Sequence, residues 1–430
     1  MRLELIQIVA WQAILACAGA VVSAGQANST SDLPEAEVEV VHLLGTAESD
    51  YHQAHGRYAT LAELVDSGQL RRSAEQSGNA SPFQHLDIAG GDEPLAGFSL
   101  DLVVASDGAA YKLSLTPKNH TCMTGWFTDN TGTVYEGKPV GCKFATDELK
   151  LLEPAHTAHE TGTPRSVATP RDWAPPDVDQ TVPPARQAAS CPLSGVLTEA
   201  SKHAEELVEN LQRFSAKERI EHIEFGKKGK RGSSQNGVFD YVAQIEQTPS
   251  GALWVEEYRE GSSSETPPPL EDTGTAAFAL IFHPRKVSDF DFQCEGLTEL
   301  QGVPAWQVHF QETPDPAKAF HAMRIGKMVY PLRFKGRVWI AAENQEVLRL
   351  ETDLVAPIPQ IELQVEHLEI VYAPIEFTTR NLQLWLPASA TLYVGYRGHR
   401  YERVHNFSKF QLFSIDTTQT VKGPAISPIE

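Results

Sequence analysis

Positive charge is what this chain has least of for its size. Its 36 lysines and arginines stand against 56 aspartates and glutamates, a formal net charge of −20. Such a surface repels phosphate backbones, so nucleic acid is not expected as a partner. Sulfur is scarce as well, with 5 cysteines and 4 methionines in 430 residues. Beyond the first residues no stretch is apolar enough to span a bilayer. Gly-x-Ser-x-Gly elbows and phosphate-binding glycine loops are absent, and no His/Cys/Asp set has metal-ligand spacing. Ser194-Gly195 stands at a helix start, where capping is the first role of a serine. His156 and His159 have ligand spacing but no carboxylate or thiol beside them. Catalysis, cofactors and metals are therefore not expected. With 41% hydrophobic and 21% charged residues the chain is globular, and its length suggests two or three domains.

The N-terminus reads as a leader. Ile8 to Val22 is apolar apart from Gln12, and the small residues Ser23, Ala24 and Gly25 follow. Val22-Ser23-Ala24 suits signal-peptidase cleavage, so residues 1–24 are read as a signal peptide and the protein as periplasmic or secreted. Two alternatives stay open: an N-terminal helix of a cytosolic fold, and a lipoprotein anchored at Cys17, which follows Ile14-Leu15-Ala16. Without Cys17, four cysteines remain. They permit three pairings, of which Cys122–Cys142 with Cys191–Cys294 is the simplest, because a proline-rich stretch separates them two and two. Four buried thiols are the alternative.

Residues 33–146 form a first unit. Asp32 and Pro34 open a helix with apolar residues at Val38, Val41, Leu44 and Tyr51, and Gly56 ends it. Thr60-Leu61-Ala62-Glu63 is a capping box. Alternation over Phe98–Val104 and Tyr111–Leu115, either side of Asp107-Gly108, predicts a hairpin. Trp126-Phe127 and Val134-Tyr135 flank another turn. Residues 147–188 hold seven prolines among polar residues and read as a semi-extended linker. Residues 189–424 form a second unit. Val196, Leu197, Ala200, Ala204, Leu207, Val208, Leu211 and Phe214 make one face of a long amphipathic helix. Strands follow, with Ile361–Glu366 and Leu382–Leu386 alternating most regularly. One polar face implies an antiparallel sheet whose other face the helix covers. Thr275–Phe282 is a candidate short helix that could also fill that face. Cys294 shares the buried parity of Phe290 and Phe292, so its bond to Cys191 would pin the helix to the sheet.

Glu48, Tyr51, Gly56–Leu64, Phe127-Thr128-Asp129, Gly132 and Val134-Tyr135 make the first unit resemble the head domain of type IV pilins and pseudopilins, although the Gly-Phe cleavage site is absent. On this resemblance a decayed pilin stalk is a further alternative to the signal peptide for residues 1–24. The leading helix, Gly336–Ile340, Gln345–Arg349 and Leu384–Pro387 make the second resemble the LolA/LolB-type outer-membrane lipoprotein carriers. Together the two resemblances imply an α+β chain: a small pilin-like antiparallel sheet with an N-terminal helix, then an open antiparallel half-barrel packed on a long amphipathic helix. The second resemblance implies a non-catalytic carrier for lipid or lipoprotein acyl chains, with Trp306, Trp339 and Trp385 as candidate cavity residues; sheet packing explains these tryptophans equally well. The first implies a structural or interaction subunit of a secretion or pilus-related assembly, with a cell-envelope protein as partner. An unrecognised hydrolase is the third class. His399 and His405 with Arg397, Arg400 and Arg403 are read as a solvated strand face or a cationic contact strip, and Lys227–Arg231 as a polar hairpin loop or a headgroup contact.

The cysteine assignment has a direct test. Non-reducing peptide mapping should recover Cys122–Cys142 and Cys191–Cys294 and no bridge between the two pairs. Closing about 100 residues is worth up to about 4–5 kcal/mol, and the shorter loop about 3 kcal/mol.

Overall fold

The computed structural model describes residues 33–76, 95, 97–118, 122–144, 173–180, 182–186, 191–210, 213–261, 275–315, 318–325, 328–378 and 381–413. The leader with Cys17 lies outside the described residues, as do His156 and His159.

The chain opens with α1 (Leu33–His55), which buries Val40, Val41, Leu44, Ala47 and Tyr51. Its successor α2 (Leu61–Asp66) starts at the capping box read from the sequence: Thr60 accepts from the Glu63 N–H and Glu63 accepts from the Thr60 N–H. Glu63 also binds Arg57 at 2.6 Å, and that guanidinium together with Thr60 holds its carboxyl down to about 2. After α3 (Gln69–Gln76) come β1 (Phe98–Val104), β2 (Tyr111–Pro117), β3 (Gly125–Asp129), β4 (Tyr135–Pro139) and β5 (Cys142–Lys143). Leu100, Leu113 and Leu115 pack against α1.

The later part holds α4 (Leu193–Asn210) and thirteen strands. These are β6 (Arg213–Phe225), β7 (Arg231–Gln247), β8 (Leu253–Gly261), β9 (Phe290–Leu300), β10 (Val303–Glu312), β11 (Lys318–Ala319), β12 (His321–Ile325), β13 (Met328–Leu332), β14 (Phe334–Ala341), β15 (Val347–Leu354), β16 (Leu363–Phe377), β17 (Leu382–Tyr396) and β18 (His399–Phe413). Lys227–Lys230 belong to the β6–β7 hairpin. The predicted helix was too long: it stops at Asn210, and Phe214 enters the core from β6 instead, paired with Ala243. Phe214 fits both periods, which is why the helical reading took it in.

The expected fold class does not hold. A separate pilin-like sheet followed by a half-barrel on a long helix is replaced by one open antiparallel sheet of 14 strands, ordered β1-β2-β3-β4-β8-β7-β6-β18-β17-β16-β15-β14-β10-β9. The two parts fuse where Lys138 and Pro139 of β4 pair with Val255 and Trp254 of β8. Phe127, Tyr135 and Trp254 form a buried cluster over this join, and Lys112 reaches Glu246 at 3.1 Å. A few residues on, Cys142 and Lys143 pair with Ala319 and Lys318 of β11. One short stretch thus touches β8 on one side and the segment after β10 on the other, so the sheet must curl.

Each strand alternates between the two faces of the curl. The inner face carries Phe214, Tyr241, Val308, Phe310, Val338, Leu350, Ile370, Leu386 and Leu392 in a single apolar core. Three pieces cover it: α4, through Val196, Ala200, Ala204, Leu207 and Val208; the 3-10 turn Phe278–Phe282; and residues of the β12–β13 hairpin.

The outer face is crossed by residues 173–180 and 182–186. Trp173 packs on Phe225 and Tyr393 with ring centroids 5.4 and 5.9 Å apart. Val178 donates to Asp353 at 2.6 Å and its carbonyl accepts from Arg337; Lys335 and His309 hold Asp179. The Pro183 and Pro184 carbonyls accept from Gln307 and Thr298 at 3.1 Å each. Arg186 makes an antiparallel bridge to Leu297 of β9. Proline suits such a strap, since it keeps the chain extended and the outer face uses its carbonyls. Past the β9 edge, Cys191 bonds Cys294 of β9, and α4 begins on the inner face. The other pair, Cys122–Cys142, is bonded too.

Arg337 is the strap's main anchor: it is 1% exposed and bidentate to Glu295 at 2.6 and 2.8 Å. Arg337→Met should cost about 2–4 kcal/mol, because a largely buried carboxylate and a carbonyl lose their donor. Urea denaturation measures it. Faster amide exchange at Val178 and Arg186 should accompany the loss, and a neutral result would show that the strap is held elsewhere.

Candidate functional site

The inner face holds two unlike regions. Beneath α4 lies a cavity of about 60 Å³, walled by Ala200, Ala204, Leu207, Phe282, Leu384 and Trp385. Small residues on α4 let it approach the sheet closely. Tyr372 also lines this cavity; its side chain is buried and its hydroxyl has no hydrogen-bond partner. At the cavity rim His203 Nε2 donates to the Asn344 carbonyl at 3.0 Å, and its Nδ1 sits 3.4 Å from Glu346. Burial raises the Glu346 carboxyl, although His203 pulls it the other way.

The second region is charged and buried. Arg403 and His405 of β18 lie opposite Leu392 and Ala390, both core residues, so they point inward. Glu218, with no exposed surface, accepts from Arg259 at 2.6 and 3.0 Å and lies 2.8 Å from His405. Burial alone would raise this carboxyl; His405 and Arg259 hold it below the usual range. Arg403 donates to His222 at 2.9 Å and covers the Tyr401 ring at 4.4 Å. Each charge in this group has an opposite or aromatic neighbour, which is the condition for burying it. Sequence reading placed Arg403 and His405 on a solvated face or a contact strip. Their alternation with Tyr401 and Phe407, on the same parity, was the signal for an inward face.

The three tryptophans do not converge. Trp306 packs against the inner core. Trp339 stands opposite Gln307 on the outer face, donates to it at 3.2 Å and lies under the Arg349 guanidinium. Trp385 touches both the outer cluster around Trp339 and the margin of the inner core, and it alone of the three lines the cavity beneath α4. Among the described residues no three His, Cys, Asp or Glu side chains gather as a metal site.

A wider cleft, about 640 Å³, opens where the N-terminal strands meet the large sheet. Its walls include Val140, Gly141 and Lys143 on one side and Arg285, Lys286, Lys318 and Phe320 on the other. Glu312 at its base accepts from the Phe320 and Phe334 N–H groups at 3.1 and 2.9 Å, and burial pushes its carboxyl up to about 7.

No family model matches the chain, and no curated protein matches it. Solved structures similar to it cover about half its length. A DUF1329 family protein from Desulfovibrio piger is 10% identical, with 52% of this chain and 94% of that one covered and a TM-score of 0.31. A domain from Vibrio parahaemolyticus, provisionally named for outer membrane lipoprotein sorting, is 9% identical over 50% of this chain and 91% of its own, with a TM-score of 0.27. The Mycobacterium tuberculosis lipoprotein LppX is 11% identical over 50% and 95%, with a TM-score of 0.19. Scores of this size carry no inference about ligand or mechanism.

Buried carboxyls make stability depend on pH. Glu48 has no exposed surface, accepts from the Ala59 N–H at 2.9 Å with one oxygen and has no partner for the other. Burial raises it to about 7 from 4.5. Below 4.5 the carboxyl is neutral in both folded and unfolded chains. Between 4.5 and 7 the unfolded chain ionises first, so stability falls as pH rises and levels off above 7. Glu48→Gln removes this contribution. The melting temperature of the variant should gain on that of the parent from pH 4.5 to 7 and then hold level; a constant difference throughout would mean that Glu48 ionises normally.

Proposed function

We propose that this protein is a non-catalytic binding module of an extracytoplasmic compartment that takes an apolar chain, from a lipid or a lipoprotein, beneath α4. The observation that carries this reading is the cavity under α4 with the unpartnered Tyr372 hydroxyl at its wall. A buried hydroxyl without a partner costs free energy, and a ligand with a polar group next to its chain would satisfy it. At about 60 Å³ the cavity holds the liquid volume of about two waters, so a chain enters only when α4 lifts. The Cys191–Cys294 bond tethers the helix near its start, and β6 follows three residues after its end. The two disulfides support an oxidising compartment, where such bonds persist.

A second reading has its own observation. Phe278, Leu280, Ile281 and Phe282 fill the middle of the inner face, as an interaction protein with a packed core would have it.

Titration of the full chain with a fluorescent fatty acid separates the two. Saturable binding is expected. Tyr372→Phe should raise the melting temperature of the empty protein yet weaken binding about fivefold, the worth of one hydrogen bond, and Ala204→Phe should block entry. No saturable binding by well-folded protein across several lipid classes would leave the interaction reading.

A further inference from the structure

The cleft between the N-terminal strands and the large sheet gathers positive charge in a chain whose net charge is −20. Lys143 and Lys318 are direct cross-strand partners on the two-residue β5–β11 ladder. Like charges in that position repel. Lys318 has Asp289 at 2.9 Å. Arg285 and Lys286 follow the Phe278–Phe282 turn and line the same cleft. Both are laid along bare backbone: a side chain at Gly251 would collide with the Arg285 guanidinium, and one at Gly141 with the Lys286 ammonium. Both glycines also have positive φ, 83° and 71°, which favours glycine at these positions. The Lys286 ammonium has the Gly141 carbonyl at 3.5 Å, the long limit of a hydrogen bond. Burial, and then the crowding of Lys143, Lys318 and Arg285, push the Lys286 ammonium below its ordinary range, with Asp289 opposing.

Among the described residues that line the cleft there are three acids and five cations. Asp289 is engaged by Lys318, and Glu312 turns its oxygens to two backbone N–H groups. Asp101 lies on the wall with Lys118. We propose that this cleft is a binding site for a phosphate-type anion, held by Arg285, Lys286 and Lys318 from one side and by Lys143 from the other. A tetrahedral anion accepts donors from several directions at once, and a guanidinium fork beside ammonium groups suits it. The anion would relieve the repulsion among the four cations. The chemistry is shared by a soluble phosphate ester and by the headgroup of an acidic lipid. This site stands apart from the cavity beneath α4 and does not depend on acyl binding there.

The test uses the full chain in three arms: calorimetric titration with inorganic phosphate, titration with glycerol phosphate, and sedimentation with vesicles of phosphatidylglycerol or, as the uncharged control, phosphatidylcholine. Saturable binding to a soluble probe is expected, weakened about tenfold by Arg285→Gln or Lys286→Gln, and unchanged by Lys202→Gln, which removes the same charge from the exposed face of α4. Phosphate should also raise the melting temperature of the parent above that in sodium chloride of equal ionic strength, and not that of Lys286→Gln. Binding to phosphatidylglycerol vesicles that depends on Arg285 and Lys286 also supports the site and identifies a headgroup as the source. Absence of saturable binding in every arm, or equal binding by the folded Arg285→Gln and Lys286→Gln proteins, overturns the proposal.

Discussion

Seven residues, 138 to 144, set the shape of the whole molecule. Lys138 and Pro139 complete a ladder with β8, and Cys142 and Lys143 start another with β11. Between them the Val140 and Gly141 N–H groups donate to the Leu253 and Phe320 carbonyls. A segment this short cannot reach both flanks unless the large sheet bends towards itself. The bend gives the sheet an inside to pack, and the inside gives α4 and the Phe278–Phe282 turn their place. The Cys122–Cys142 bond restrains the segment from the N-terminal side, and its burial beside Phe144 and Ala319 shields it.

A sheet this wide has two faces to satisfy, and neighbouring segments of the chain cover both. Residues 173–180 and 182–186 cross the outer face, Arg186 seals part of the β9 edge, Cys191 is fastened to Cys294, and α4 runs beneath. The faces are satisfied by opposite chemistry. Apolar burial holds α4, whereas the strap is held by charge-assisted hydrogen bonds to Arg337, Lys335, Asp353 and His309. Prolines supply carbonyls without adding N–H groups that would need partners. Pairing at Leu297 also satisfies two backbone groups of the β9 edge, which left open would invite another chain.

Local features were legible in the sequence because their causes are local. The Thr60–Glu63 capping box, the Asp107-Gly108 turn and the alternation of β1, β2, β16 and β17 each depend on residues within a few positions of one another. The union of the two sheets was not legible. Nothing near Pro139 names Trp254 as its partner, since pairing across more than a hundred residues is decided by packing and not by pattern. The Phe214 error has the same root: an apolar residue fits a helical or a strand period until its neighbours in space are known. Of the tryptophans named from the sequence, Trp385 stands at the cavity wall; Tyr372 carried no signal there, because an unpartnered hydroxyl is a property of the fold alone.

The strap also constrains the order in which the chain can fold. Val178 leaves the ribosome 175 residues ahead of Asp353, the carboxylate that receives its N–H. At about 5–20 residues per second that gap lasts roughly 9–35 s. Throughout it, the strap lacks its Asp353 anchor, and prolines keep it from settling into a helix or a ladder of its own. The last long strands of the sheet must arrive before the strap can dock. A chain built this way stays open through most of its synthesis, and commits to its final form only when the distant half has been made.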